Sequence, residues 1–318
     1  MTILDTTPNF IFVGGAPRSG TTLLQNMLDS HPDITGGPEF LHLPDIIQVR
    51  KAMQHSLNNG WLDAYCTHAQ ADTHITQLIN QFLFPISERK NTSFISEKTP
   101  ANVTVFSDLV ELYPKAFFIQ ILRDPRAVVA SMLKVGRRGK KQGMQTQPFT
   151  QNIIDAVNYL RTCYAKGLAF QTGNGNKLLT LTYEALVTQP EDITRQICTF
   201  LDLPWDERML RPDKHQHIGE KAITNEVWYN EKEYRRRPMD TEIEKWRGSL
   251  NVAQKAVLFY CFRKNPSMLK NGYRLDEEFN TQAVRQIFHT IGGILYIFLK
   301  IKRKISHRVL KRFMRRRF

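Results

Sequence analysis

The residues best suited to chemistry are the run Gly15-Ala-Pro-Arg-Ser-Gly-Thr-Thr22, bounded by glycine and carrying one arginine and three hydroxyls. Glycines let a ligand approach the backbone closely, and successive N–H groups at a helix N-terminus bind an anion. Thr21 stands where the G-x-x-x-x-G-K-[ST] phosphate loop carries its lysine, and Arg18 supplies positive charge from inside the loop instead. The run therefore predicts an anion site, built from Arg18, Ser19, Gly20, Thr21 and Thr22, that suits an ordinary nucleoside triphosphate poorly. A second run, Ile121-Leu-Arg-Asp-Pro-Arg-Ala-Val-Val-Ala-Ser131, offers Arg123 and Ser131. An arginine can hold a phosphate bidentately and a serine adds a hydroxyl donor.

Such residues work only if strands and helices hold them. Asn9 to Gly15 reads as a buried strand and Ser19 to Ser30 as the helix after it; Phe94 to Lys98 reads as a further strand. Ala116 to Leu122 is an apolar run broken only by Gln120, followed by a helix from Pro125 to Lys134 with Asp124 as N-cap and proline at its first position. Leu178 to Thr182 gives another strand, while Gln151 to Phe170 and Glu191 to Leu201 carry helical periodicity. Alternating strands and helices predict a phosphate-loop-type three-layer α/β/α fold around a central parallel sheet, with Arg123 and Ser131 both able to face the switch-point crevice. Gly136 to Gln147 and the region from Pro204 to Pro238, which ends in Arg235, Arg236 and Arg237, read as mobile loops.

The loop Pro17-Arg-Ser-Gly-Thr-Thr22 resembles the 5′-phosphosulfate loop of sulfotransferases that use 3′-phosphoadenosine 5′-phosphosulfate (PAPS), and Arg123-Asp-Pro-Arg-Ala with Ser131 resembles their 3′-phosphate motif. Within that superfamily the chain is most similar to the tyrosylprotein sulfotransferases and their bacterial relatives. Leu28-Asp-Ser-His-Pro-Asp-Ile34, Leu179-Thr-Leu-Thr-Tyr-Glu-Ala-Leu-Val187, Phe200-Leu-Asp-Leu-Pro-Trp205 and Lys245-Trp-Arg-Gly248 follow in the expected order, and the similarity runs from about Phe10 to Tyr273. It implies three further roles. Glu39, 21 residues after Arg18, falls where the family holds its general base. Lys98, 25 residues before Arg123, falls where it holds a catalytic lysine, and Tyr183 matches a nucleotide-contacting tyrosine.

The implied reaction is sulfuryl transfer from PAPS to an acceptor hydroxyl, leaving 3′-phosphoadenosine 5′-phosphate (PAP). Glu39 would take the acceptor proton, while Arg18, Lys98, Thr21 and Thr22 would meet the charge growing on the bridging oxygen. The leaving group is a single phosphate and the loop brings its own cations, so no metal is expected to be required. Two departures bear on the acceptor and the compartment. Phe40 and Leu41 replace the Thr and Arg that follow the base in the tyrosylprotein enzymes, where the arginine helps recognise acidic peptides; apolar neighbours suit an aromatic, lipid, glycan or small-molecule hydroxyl as well as a tyrosyl one. Gly36 and Ser96 stand where those enzymes form a disulfide.

The remaining composition fits one main domain, residues 1–280, and a basic tail, residues 281–318. In 318 residues, 42% apolar, the net charge is +14, yet the tail holds eleven Lys and Arg and no acid, which leaves +3 for the rest. The body therefore carries no electrostatic footprint for specific nucleic-acid binding. In the tail Ile301, Ile305, Val309 and Phe313 share one helical face among basic neighbours, so an anionic membrane surface is an expected partner. The strictly apolar stretch, about Ile291 to Leu299, is shorter than the roughly 20 residues of a membrane span. Cys66, Cys163, Cys198 and Cys261 lie far apart, without metal spacing, and the N-terminus has no signal pattern; together these predict a cytoplasmic protein, peripheral at the membrane through its tail. A homodimer is compatible with the sequence. Two other classes compete: a phosphate-loop phosphotransferase, which would want lysine at position 21, and a non-catalytic basic membrane- or polyanion-binding protein, which would leave the two phosphate motifs idle. His215 and His217 read as a loop pair rather than a metal site.

Overall fold

The computed structural model describes residues 8–87, 92–218, 227–228 and 243–314, with side chains up to residue 305. They group into two compact units, one formed by residues 1–123 with 162–240 and the other by 124–161 with 241–318.

The first unit holds a five-stranded sheet of order β2-β3-β1-β4-β5, with β1 Asn9–Gly15, β2 Ile34–Gly36, β3 Phe94–Lys98, β4 Phe117–Leu122 and β5 Leu178–Thr182. Every neighbouring pair is parallel. Parallel strands are covered on both faces, which is why β1 and β4 are near-continuous apolar runs rather than alternating ones and why β3 is buried throughout although Ser96, Glu97 and Lys98 are polar. Successive residues of β4 show the two covers. Phe117 meets Phe200 at 5.3 Å, whereas Phe118 meets Phe106 at 5.1 Å and Phe170 at 4.8 Å. Strand side chains alternate faces, so the helices bearing these rings lie on opposite sides and the three-layer α/β/α expectation holds.

Helix α1 (Thr21–Asp29) follows β1 directly. Two helices missed from the sequence, α2 (Leu43–Asn58) and α3 (His68–Ser87), fill the connection from β2 to β3. Polar composition hides α2, which buries only Leu43, Ile47, Arg50 and Leu57, whereas α3 carries Ala71, Ile75, Ile79 and Leu83 as a helical stripe legible in the sequence. Arg50 pins the pair, its guanidinium meeting Asp72 at 2.7 Å and Glu111 at 2.8 Å. At the β1 position the connections turn from one edge of the sheet to the other, which creates the crevice at the carboxyl ends of the strands where ligands of such folds bind.

In the second unit α4 (Pro125–Lys141) starts on Asp124, whose Oδ1 accepts from the Arg126 N–H at 2.7 Å. The helix runs on through Lys141, so the loop expected from Gly136 is corrected. Gly136 is a packing contact rather than a break: a Cβ there would lie 2.0 Å from the Thr150 carbonyl oxygen. The other expected loop, Pro204 to Pro238, is described only to residue 218 and at 227–228, and Arg235, Arg236 and Arg237 lie outside the described residues. The Lys245–Gly248 motif serves packing: buried Trp246 carries the Arg126 guanidinium over its ring at 4.0 Å, and Arg126 also pairs with Glu278 at 2.5 Å.

The tail is one long helix, α5 (Gln282–Met314). Its inner face packs on the helix Val252–Phe262, with Phe259 against Phe288 at 5.9 Å and Tyr260 against Tyr296 at 5.9 Å. By length and composition alone Gln282–Ile305 could cross a membrane, 24 residues at mean hydropathy 1.2. That helix is longer than the strictly apolar stretch Ile291 to Leu299 because it also takes in Arg285, Lys300, Lys302, Arg303 and Lys304.

Candidate active site

Each sequence-derived site residue of the first unit lies at or just beyond the carboxyl end of a strand, because parallel strands send their ends to one side of the sheet. β1 delivers the loop Gly15–Thr22. Gly20 has φ 102, and a Cβ there would sit 2.4 Å from Tyr183 Cδ2, so both the turn and the fit against the tyrosine demand glycine. Arg18 also adopts positive φ, at 75. Its Nη1 donates to the Trp228 carbonyl at 3.1 Å, and its own carbonyl accepts from Arg123 Nη1 at 3.2 Å. Buried Ser19 donates to the Ala16 carbonyl and tightens the loop. Thr21 and Thr22 follow in the first turn of α1, where unsatisfied N–H groups and the helix dipole favour an anion.

β2 and β3 deliver the acid and the cation. Lys98, only 2% exposed, places Nζ 2.5 Å from Glu39 Oε1 and 3.3 Å from Thr22 Oγ1, while Glu39 remains 23% exposed. Acid, amine and phosphate-loop hydroxyl thus form one connected chain. β4 delivers Arg123, whose guanidinium stacks over the Tyr183 ring at 3.9 Å and whose carbonyl accepts from Tyr164 Oη at 2.6 Å. β5 delivers Tyr183, fully buried, in the first turn of a helix capped by Thr182 Oγ1 on the Ala185 N–H at 3.3 Å. Ser131 lies in α4 of the second unit, half-buried.

Sequence reasoning missed Glu97. It is buried within β3, and burial pushes its carboxyl up to about 7 against three hydrogen bonds that favour the charge. Thr99 Oγ1 donates to Oε1 at 2.7 Å, the Phe40 N–H donates to Oε1 at 3.2 Å, and Asn102 Nδ2 donates to Oε2. Through the Phe40 amide, Glu97 fixes the residue that follows Glu39. The available signal was an acid inside an otherwise buried strand.

Beside Glu39 the surface is apolar: Leu41 is exposed, and Phe40 packs on exposed Phe82 at 5.1 Å. Nothing basic occupies positions 40 and 41, so the arrangement can take a proton from a hydroxyl, stabilise charge on a transferring group and present an apolar shelf to the acceptor.

Comparison with known proteins finds sulfotransferases. A protein-tyrosine sulfotransferase 1 of Danio rerio is 29% identical over 67% of this chain and 57% of its own length. A putative protein-tyrosine sulfotransferase of Caenorhabditis briggsae is 28% identical over 83% of this chain and 85% of its own. The chain thus spans between just over half and most of the length of these relatives. Among solved structures, a sulfotransferase domain from the curacin biosynthetic pathway superposes with TM-score 0.55 at 19% identity, covering 77% of this chain and 92% of that one, a likeness of fold. The sequence profile described as "Sulfotransferase family" matches residues 8–207, and the chain belongs to that family.

Proposed function

We propose that this chain transfers a sulfuryl group from PAPS to an acceptor hydroxyl, and the observation that carries the reading is the connected chain Glu39–Lys98–Thr22 at the mouth of the phosphate loop. The acceptor oxygen attacks sulfur in line, the bond from sulfur to the bridging oxygen breaks, and its electron pair stays on the 5′-phosphate of the departing PAP. The acceptor proton passes to Glu39, which lies at the solvent-facing end of the chain. Lys98, Arg18 and the hydroxyls of Thr21 and Thr22 meet the growing charge on the bridging oxygen as a preorganised set. Ser19, Gly20 and the helix N-terminus cradle the 5′-phosphate, while Arg123 and Ser131 take the 3′-phosphate and Tyr183 backs the nucleotide. Lys98 and Arg18 can supply the positive charge that Mg²⁺ supplies in phosphoryl transfer, which supports transfer without added magnesium.

The shelf of Phe40, Leu41 and Phe82 favours an aromatic hydroxyl with apolar neighbours over a tyrosine flanked by acids. Labelled PAPS offered with phenols, apolar tyrosyl peptides, acidic tyrosyl peptides, glycans and hydroxylated lipids tests this directly. Transfer confined to acidic peptides would overturn the acceptor assignment, and tighter binding of ATP with Mg²⁺ than of PAP would overturn the sulfotransferase reading.

A cytoplasmic location, peripheral at an anionic membrane, accompanies this reading. It is supported by four cysteines that form no disulfide and by the outer face of α5, where Val284, Ile287, Ile291, Ile294, Phe298, Ile301 and Ile305 stand exposed at helical spacing. Lys302 and Lys304 flank that face and can reach headgroups while the apolar side chains enter the interface. The face opposite packs on protein, which favours lying in the interface over crossing it. Val309 and Phe313, the rest of the expected stripe, have side chains outside the described residues.

A further inference from the structure

Far from the transfer site, Asp29, His215 and His217 converge although 186 residues separate the aspartate from the nearer histidine. Asp29 and His217 are almost completely buried, at 3% and 4% exposure, and His215 is 31% exposed. Asp29 Oδ2 lies 2.7 Å from His217 Nδ1 and 3.9 Å from His215 Nε2, and the three ligand atoms all lie within 4.8 Å of one another. A tetrahedral zinc ion with bonds of about 2.0–2.1 Å sets its ligand atoms about 3.3 Å apart. The two distances straddle that value and the third separation is within 4.8 Å, a spread that side-chain rotations can close onto one ion.

The surroundings of His217 make the case stronger. Its Nε2 lies 3.1 Å from the Pro212 carbonyl oxygen, an acceptor only, which calls for a proton on Nε2. Its Nδ1 faces the Asp29 carboxylate oxygen 2.7 Å away, a hydrogen-bond distance whose proton an ion bound by both atoms would displace. A metal-binding histidine commonly shows this pattern, one nitrogen on the ion and the other donating to a backbone carbonyl. Asp29 is likewise held on its far side, where Oδ1 accepts from the Gly36 N–H at 2.7 Å. His215 brings a third ligand atom to this pair, its Nε2 3.9 Å from Asp29 Oδ2.

We infer that Asp29, His215 and His217 form a structural site for a divalent transition metal of zinc type, with water completing the tetrahedron on the exposed side of His215. Two imidazoles and one carboxylate suit zinc rather than calcium or magnesium, which prefer all-oxygen shells. Asp29 ends α1, a helix of nine residues, so the site lies about 12 Å along the helix from the phosphate loop. The ion is therefore a clamp and not a participant in transfer. It fastens residues 215–217 to the end of α1 and, through the Gly36 amide, to the end of β2.

The test uses the full chain without a histidine tag. Elemental analysis after purification without chelator is expected to find about one zinc per chain, and cobalt added to the stripped protein should give the intense visible absorption of a tetrahedral centre. His215→Gln, at the most exposed ligand, and Asp29→Asn should each lower zinc affinity, measured by competition with a chromogenic chelator, by more than the roughly 10–100-fold that loss of an outer-sphere partner costs. PAP affinity serves as the check that His215→Gln is folded, and its loss in wild type would speak against the sulfotransferase reading without touching the metal site. Absence of zinc at micromolar excess, equal zinc binding by wild type and His215→Gln, or nitrogen NMR showing both ring nitrogens of His217 protonated in excess zinc would each overturn the site.

Discussion

Glu97→Gln isolates the cost of a carboxylate kept inside the sheet. The folded protein raises this acid from 4.5 to about 7, chiefly by burial. The folded state therefore holds a proton that the unfolded chain has released. For a raised acid the favourable contribution is fully present below about pH 4.5 and is lost as pH rises through about 7. With 1.36 kcal/mol per unit, the full span is on the order of 3 kcal/mol, most of it between about pH 5 and about pH 8.5. Glutamine cannot ionise, but its NH₂ cannot accept from the donor that faces that end of the carboxyl, so at low pH the variant should be the less stable by a pH-independent amount. Urea unfolding of both across this range, fitted where the transition is two-state, is expected to show the variant recovering on the order of 3 kcal/mol relative to wild type as pH rises. Comparing the two proteins cancels the histidines and other groups that titrate in both. A stability difference independent of pH, or one that moves the other way, would show that Glu97 is not the buried proton-binding group described here.

Other perturbations bear on the proposed chemistry and location. Glu39→Gln should leave PAP affinity intact and lower kcat by roughly 10²–10⁴-fold, as expected of a lost general base; turnover near that of wild type would remove the role. Lys98→Ala should act mainly on kcat, by roughly 10²–10³-fold, if the amine meets charge that appears only in the transition state, and an effect on KM alone would assign it to ground-state binding. Arg123→Ala loses a charge-assisted contact and a stacking partner of Tyr183 and should weaken PAP by about 1.5–3 kcal/mol in calorimetry; unchanged affinity would place the 3′-phosphate elsewhere. Ile294→Asp with Ile301→Asp, both on the exposed face of α5, should abolish co-sedimentation with anionic vesicles at low salt and leave transfer to a soluble acceptor unchanged. Equal partitioning of wild type and variant would remove the membrane contact.

The sequence by itself determined the parts governed by local physics. Short apolar or β-branched runs bounded by turn residues located β1, β4 and β5 within a residue or so, and Phe94-Ile95 marked β3 although Ser96, Glu97 and Lys98 are polar. The glycine-bounded loop and the Asp124-Pro125 cap are set by backbone conformation and missing N–H partners, both readable within a few residues. Helix α2 was not legible, since it buries a narrow stripe and is held by ion pairs such as Arg50 with Asp72; α3 was overlooked although Ala71, Ile75, Ile79 and Leu83 recur at helical spacing. Gly136 shows the reverse error, a residue that usually ends a helix used instead to admit a neighbouring backbone. Only tertiary structure could decide which side chains meet across long stretches of chain. It set Lys98 between Glu39 and Thr22, gave buried Glu97 its donors from Phe40 and Asn102, and brought Asp29 to His215 and His217. The physical reason is that a parallel sheet gathers the carboxyl ends of strands distant in sequence, so the environment that tunes a charge comes from residues whose spacing carries no trace of their contact.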